Sequence, residues 1–305
     1  MSNTDIIEIG GCCAGVPARL ADLLDTWHIT FGPVGFEPAK KTLQLGSARE
    51  YEILNRAQYL RAFLTAIEPY DVLHFHYRSY FPQFADLPIW RALGKQVWIS
   101  FHGSDIRGKQ RKAANPLLRL ADRVFVSTPD LLDTLPDAEW LPNPAPAQFP
   151  PTPTAGEDLP LVVHCPSRRA TKGTAQILEA VSALKESGEQ FKFRIIENQP
   201  HAEVLRQIQA ADIVIDQAAT DGLYAMVALE AMAAGKPTLA DINGAKDRLP
   251  HGCPVVNCGN TPDEIATALS YCLESPGRRA IIGQKGIEYV TRVHGAGNIR
   301  KILTG

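Results

Sequence analysis

The chain has 305 residues, a length that makes about two domains of ~150 residues the first expectation. Hydrophobic residues make up 45% and charged residues 21%, as in ordinary globular proteins, and the net charge of -2 argues against a dedicated nucleic-acid binder, whose domain would be clearly basic. No apolar run approaches the ~20 residues that span a bilayer, and the start MSNTDIIEIGG lacks the basic stretch, apolar core and cleavage site of a signal peptide, so a cytoplasmic location is expected.

Short β-rich apolar runs alternate along the chain with segments of helical period, the pattern of βα units around parallel sheets. In chain order the spacing predicts a strand over 5–10, a helix over 16–24, a strand over 41–45 and a helix over 49–67. That helix would lay Leu54, Ala57, Leu60, Leu64 and Ile67 as one stripe on a sheet. Strands over 71–76, 96–101 and 123–127 follow. Residues 141–160, LPNPAPAQFPPTPTAGEDLP, hold proline at a density that neither a sheet interior nor a helix accepts, so they read as a linker. A first domain over 1–145, a proline-rich linker over 146–160 and a second domain over 161–305 are expected, with the last helix packing back on the first domain.

The alternation restarts after the linker. Strands are expected over 161–165, 191–196, 212–216, 237–240 and 255–256, with helices over 174–186 and 202–211 and another ending at Gly235. Thr261-Pro262-Asp263-Glu264 carries a capping residue, a proline at the first helical position and Glu three residues after the cap, which starts a further helix. The fold class is therefore α/β: two Rossmann-like domains with parallel sheets facing across a cleft, ligands lying at the carboxyl ends of the strands. The six cysteines, 12, 13, 165, 253, 258 and 272, show no zinc-type spacing and read as small buried apolar residues.

Residues 211–240 read ADIVIDQAATDGLYAMVALEAMAAGKPTLA: a strand ending in acidic and polar residues, a loop, a helix bearing Glu230, then Gly235-Lys236-Pro237 before a new strand. Gly235 has the place of a left-handed helix terminator, with Pro237 blocking continuation. Glu230 stands in the apolar run Val227-Ala228-Leu229 and Ala231-Met232, so it either faces solvent or is buried with a ligand, because unpaired burial is costly.

This segment resembles the donor-site helix of retaining glycosyltransferases of the GT-B fold, the glycogen-synthase-like and mannosyltransferase-like group. The resemblance covers about thirty residues, with its glycines and proline in place. It implies that Glu230 holds the ribose hydroxyls of a sugar nucleotide.

Residues 164–174, HCPSRRATKGT, run from a strand through Arg168, Arg169 and Lys172 to Gly173 and Thr174 at a helix start. Cations beside a helix N-terminus make a phosphate site, and the Walker spacing is absent. The segment is similar to the family's pyrophosphate loop, which implies Arg169, rather than Arg168, and Lys172 on the departing diphosphate. In 98–108, WISFHGSDIRG, His102 ends a strand, and the resemblance implies that it meets the transferred sugar. Gly10, Gly11 and Gly15 in IGGCCAGVP, 9–17, form a glycine-rich turn that in the family lets backbone approach the donor phosphates and the acceptor.

His74 and His76 bracket Phe75 and share one strand face. With His102 they could hold a metal, but no carboxylate is placed to complete a site, and the family works without one, so no metal is expected. Arg107, Lys109, Arg111 and Lys112 read as a solvated face, or as contacts to an anionic acceptor or a membrane surface.

The sequence departs from the family where a first glutamate stands eight residues before the second: Gly222 occupies that place and Asp221 is one position off. Backbone amides of 221–225, with Gly222, Leu223 and Tyr224, would then hold the sugar. The resemblance implies sugar transfer from a nucleoside-diphosphate sugar to an acceptor that is a saccharide, lipid-linked or small molecule. Retention at the anomeric carbon, no cofactor, domain closure as the gating motion, and the roles of His102, Arg169, Lys172 and Glu230 follow from it. Gly11, Gly15, Arg168, Gly173, Gly222, Leu223 and Tyr224 would bind the donor. A sugar-nucleotide epimerase of the same fold, or a non-catalytic nucleotide- or sugar-binding protein, are the alternatives.

Overall fold

The short apolar runs of the chain become the strands of two parallel sheets, one in each of two units, with the central strands buried. The computed structural model describes residues 5–10, 15–30, 39–45, 53–145, 159–218 and 223–305, with side chains in the helix beginning at Ile53 described from Leu60 onward. The first unit comprises Met1–Pro144 and Ile299–Gly305, the second Ala145–Asn298.

In the first unit the described elements are β1 (Ile6–Ile9), α1 (Val16–Leu24), β2 (His28–Thr30), β3 (Thr42–Gln44), α2 (Ile53–Ile67), β4 (Val72–His76), α3 (Leu87–Ala92), β5 (Gln96–Phe101), α4 (Gln110–Ala113), β6 (Arg123–Val126) and β7 (Glu139–Trp140). The strands pair in the order β3-β2-β1-β4-β5-β6-β7, all parallel, so the direction of winding reverses between β1 and β4. Ligands of such sheets bind outside the carboxyl ends of the strands at that reversal.

Strand alternation gives this sheet two unlike faces. Ile7, Ile9, Leu73, Phe75, Val97, Ile99, Phe101 and Val126 belong to one apolar core with Phe63, Ile67, Leu87 and Trp90. On the other face the parallel register sets Glu8 beside both His28 and His74, and His76 beside Ser100.

The second unit begins with β8 (Leu161–His164), α5 (Arg169–Lys172), α6 (Thr174–Glu186), β9 (Lys192–Ile195) and α7 (His201–Ala210). It continues with β10 (Ile213–Gln217), α8 (Met226–Ala233), β11 (Thr238–Ala240), β12 (Val256–Asn257), α9 (Pro262–Leu273) and α10 (Pro276–Val293). The final helix, α11 (Ala296–Thr304), crosses from the second unit into the residues assigned to the first. The order β12-β11-β10-β8-β9 is again all parallel and reverses between β8 and β10.

The capping box at Thr261 is present: its side chain accepts from the Glu264 backbone while the Glu264 carboxylate accepts from the Thr261 N–H. Gly235 stands one residue past the C-cap of α8 with φ 73°, the left-handed terminator expected of it. Two expectations change. Strands β2 and β7 have only three and two residues, too short for an alternation to register in the sequence. The stripe of α2 turns by one residue, because Phe63 is the buried side chain, stacked 4.7 Å from Tyr80 and edge-on to Trp90, whereas Leu64 is 39% exposed. Leu54 and Ala57, residues 49–52 and linker residues 146–158 lie outside the described residues or side chains. Cys165, Cys258 and Cys272 are buried free thiols, each pushed up to about 12 by burial, which makes them packing groups rather than nucleophiles.

Candidate functional site

At the reversal in the second unit, β8 ends in His164 and β10 ends in Asp216 and Gln217. His164 is a satisfied core group: Nδ1 donates to the Ile215 carbonyl at 2.9 Å and Nε2 accepts from the Thr174 hydroxyl at 2.9 Å, tying both strands to the start of α6. Lys172 closes α5, and its Nζ donates to Gln217 Oε1 at 2.6 Å and lies 3.4 Å from Asp216 Oδ1. The same two strand-end residues hold the segment before α8, since Gln217 Nε2 donates to the Leu223 carbonyl and Asp216 Oδ2 accepts from the Ala225 N–H. Lys172 and the Leu223–Ala225 segment are therefore brought together by two side chains of one strand end, although about fifty residues separate them in sequence.

Gly173, between α5 and α6, has φ 66°, and a Cβ there would stand 2.1 Å from the Ala218 carbonyl oxygen. The expected diphosphate cations divide. Arg169 makes an exposed ion pair with Glu197, Nη2 to Oε2 2.6 Å, which raises the guanidinium and lowers the carboxyl. Arg168 is exposed, with no ion pair among the described residues. Glu230 is only 3% exposed on α8, which rules out the solvent-face reading. His201, the first residue of α7, donates from Nε2 to Glu230 Oε1 at 2.8 Å, so the buried carboxyl has a partner that sequence reading did not name.

Leu223 is buried, and the Tyr224 side chain turns into the unit's interior. Its hydroxyl lies 3.0 Å from both the Tyr289 hydroxyl and His294 Nε2, and burial raises it well above the ordinary tyrosine value. Only the backbone of Tyr224 is left for a ligand. Gly11 and Gly222, together with Asp221, lie outside the described residues, while Gly15 caps α1 with φ 75°.

At the reversal in the first unit stands a cluster that sequence reading found only in part. Glu8 Oε2 accepts from His76 Nε2 at 2.6 Å and lies 3.0 Å from His74 Nδ1, while His74 Nε2 lies 2.8 Å from Ser100 Oγ. His76 Nδ1 in turn lies 2.9 Å from His102 Nε2, with the two rings stacked. Glu8, His74 and His76 are almost wholly buried, and His102 keeps part of its surface open.

Burial pushes the Glu8 carboxyl up, but the bonds and charges of His74 and His76 outweigh it and hold the group down at about 2. Burial lowers His76 to about 4 and His102 well below the ordinary histidine value, with neighbouring histidines adding to both effects. The expectation that no carboxylate stands beside these histidines is corrected: Glu8 does, and its oxygens and the His74 and His76 nitrogens lie within 4.8 Å of one another. Each of those atoms is already engaged in a bond of 2.6–3.2 Å within the cluster. The signal for Glu8 was the lone acid in IIEI, a strand otherwise apolar.

Most of the basic cluster that follows His102 is structural. Arg107 pairs with Asp130 at 2.7 Å, Lys109 donates to the Ser104 carbonyl at 2.6 Å, and Lys112 donates to the Tyr77 carbonyl at 2.8 Å above the Phe101 ring. These bonds pin the loop after β5, and Arg111 is the cluster member left exposed without such a bond among the described residues. The His102 N–H donates to Asp105 Oδ1 at 2.9 Å in the same loop.

No helix described is long and apolar enough to cross a membrane. No protein-family model matches the chain, and no curated protein matches it. Solved structures do. Anabaena HepE, determined in complex with UDP and glucose, superposes with a TM-score of 0.71 at 14% identity, covering 98% of each chain. SnogD, a glycosyltransferase of Streptomyces nogalater, gives 0.54 at 14% identity, again over 98% of each chain. The UDP-GlcNAc 2-epimerase of Neisseria meningitidis bound to UDP-GlcNAc gives 0.53 at 13% identity over 98% of each chain. Likeness at 13–14% identity establishes architecture, and the chain is an α/β protein of the GT-B fold.

Proposed function

We propose that the chain is a glycosyltransferase that moves a hexosyl group from a nucleoside-diphosphate sugar to an acceptor hydroxyl, with retention at the anomeric carbon. The observation that carries this reading is Lys172, held by Gln217 and Asp216 at the strand-order reversal of the second unit, where a ligand of such a sheet binds. A diphosphate would replace Gln217 as the ammonium's acceptor, and Arg168 or Arg169 would fork its oxygens. As the bond from the sugar to the diphosphate breaks, the electron pair stays on the diphosphate, where these cations stabilise the growing charge, while the acceptor oxygen bonds to the anomeric carbon and its proton passes to the departing diphosphate. Glu230 would accept from a ribose hydroxyl, with His201 donating to its Oε1. His102 would meet the sugar, and backbone of Leu223 and Tyr224 would line the donor in place of the absent first glutamate. In this reading the acceptor is a saccharide, lipid-linked or small-molecule hydroxyl, and the nucleotide sugar is a co-substrate used without metal or cofactor.

HepE holds UDP and glucose, and the Neisseria epimerase holds UDP-GlcNAc, so UDP and its sugars lead the test. A thermal-shift comparison of UDP, GDP, ADP and their sugars should show a rise in melting temperature with one nucleotide series, because a ligand that binds only the folded state stabilises it. Lys172→Ala and Glu230→Ala should each abolish that rise and the transfer of radiolabelled sugar. A melting temperature indifferent to every nucleotide would reject the proposal.

The likeness to the epimerase, together with the Glu8–His76–His102 cluster, favours epimerisation as the second reading. Incubation with a single nucleotide sugar and no acceptor separates the two: a changed sugar still joined to its nucleotide identifies an epimerase.

A further inference from the structure

The bonds around Glu8 have a direction. The ionised carboxylate has no proton to give, so His76 Nε2–H donates to Glu8 Oε2 and His74 Nδ1–H donates to the same carboxylate. A neutral His76 whose Nε2 carries the proton has a bare Nδ1. That nitrogen can only accept, and the atom opposite it at 2.9 Å is His102 Nε2, which must therefore carry the hydrogen. A neutral His102 protonated at Nε2 has its lone pair at Nδ1. Within the chain of Glu8, His74, His76 and His102, Nδ1 of His102 is the one ring nitrogen without a partner among the described residues.

We propose that Glu8 is a positioning residue: acting through His76, it locks His102 as the neutral Nε2–H tautomer, so that Nδ1 is a pure hydrogen-bond acceptor that selects a sugar position bearing a free hydroxyl. The selection rests on the sugar-transfer reading given above; the lock itself is a property of the first unit alone. A carbonyl or ether oxygen at the selected position would meet a lone pair and be disfavoured, whereas an O–H donates to it. The titratable groups facing His102 are His76 and His74 on β4 and Glu8 on β1, with Tyr77 stacked 6.2 Å away and Asp105 bonded to its N–H. His28 on β2 adds a small electrostatic push that lowers His76 further. Burial, helped by His76 and His74 and only partly opposed by Glu8, holds His102 well below the ordinary histidine value, so the acceptor does not become a donor when the pH is lowered from 8 to 6.

Two measurements test this. Nitrogen-15 NMR of the histidine-labelled wild-type protein, with His102 assigned by comparison with His102→Asn, should show His102 protonated at Nε2 and bare at Nδ1, unchanged from pH 6 to 8. A proton on Nδ1, or an imidazolium at pH 7, overturns the lock whether or not any sugar is transferred. In the transfer assay, the wild-type protein should use a donor lacking the selected hydroxyl with about 10-fold lower kcat/KM, the size of one hydrogen bond. Glu8→Gln should reduce that discrimination to near unity, because an amide can donate as well as accept and no longer fixes the direction of the chain. Glu8→Asp should restore it. Discrimination undiminished in a folded Glu8→Gln protein overturns the proposal, and if that variant does not fold, the wild-type NMR signature still decides. A confirmed tautomer in a protein that transfers no sugar would reject the transfer reading alone.

Discussion

Gly173 carries two constraints at once, a left-handed backbone and a carbonyl 2.1 Å from where a side chain would begin. Either alone favours glycine, and together they let β10 and the end of α5 approach until Ala218 N–H reaches the Lys172 carbonyl at 3.1 Å. The glycine that reads as part of a phosphate loop therefore places Lys172. Gly173→Ala should destabilise the protein by about 1–3 kcal/mol through the backbone strain alone. Thermal unfolding should show the loss and nucleotide titration the weakened diphosphate contact; an unaltered melting temperature would refute the argument. Glu230 shows the complementary case. Its burial was one of two readings open in an apolar run, and His201, twenty-nine residues earlier, settles it by supplying the partner that a buried carboxyl requires.

At the scale of elements, α8 carries Glu230 yet is apolar almost all round, so its position depends on what packs on every side. Against it lies α10, which approaches closely because Gly283 and Gly286 have no side chains. A Cβ on Gly283 would stand 1.9 Å from the Gly235 carbonyl, and one on Gly286 3.3 Å from Met232. Gly283→Ala should push the helices apart, cost about 1–3 kcal/mol as an overpacked contact, and weaken nucleotide binding through Glu230 without altering any polar group. Urea unfolding with and without nucleotide checks both effects.

Much of this architecture was legible because it is local. The capping box, the left-handed Gly235 and the alternation of β4 are each written within a few consecutive residues. What escaped was non-local. Glu8 is an unremarked acid in a four-residue strand until parallel pairing sets it opposite His74, sixty-six residues away, and strand order is not encoded in any single strand. Helix α2 misled in a different way, since Leu64 and Phe63 both suit a core position and the aromatic partners Tyr80 and Trp90, contributed by later segments, decide between them.

For the whole molecule, the buried histidines set the response to acid. His76 falls from its ordinary value of 6.5 to about 4 in the folded chain, so between those values the unfolded chain holds a proton that the folded chain refuses. Stability therefore declines as pH drops through that window, by at most about 1.4 kcal/mol per pH unit for one such group. His102, His28 and His164 are also lowered, with burial the largest cause in each, and pull the same way. Glu8, held at about 2 against 4.5, contributes stability that is complete above 4.5 and lost as pH falls toward 2, extending the decline. Urea midpoints should drop steadily from pH 7 to pH 5; equal midpoints at those two values would contradict the neutral cluster.

The return of residues 299–305 to the first unit has a consequence for how the protein is made. Arg123 of β6 donates to the carbonyls of Ile302 and Leu303, and Arg300 to that of Leu23. On the ribosome, those carbonyls and that guanidinium do not exist until all of Ala145–Asn298 has been synthesised. The second unit, one uninterrupted stretch, can mature first, while the sheet that emerged earliest waits longest for its last contacts. A chain truncated before Ile299 and released from the ribosome should thus show a protease-sensitive first unit and a resistant second one.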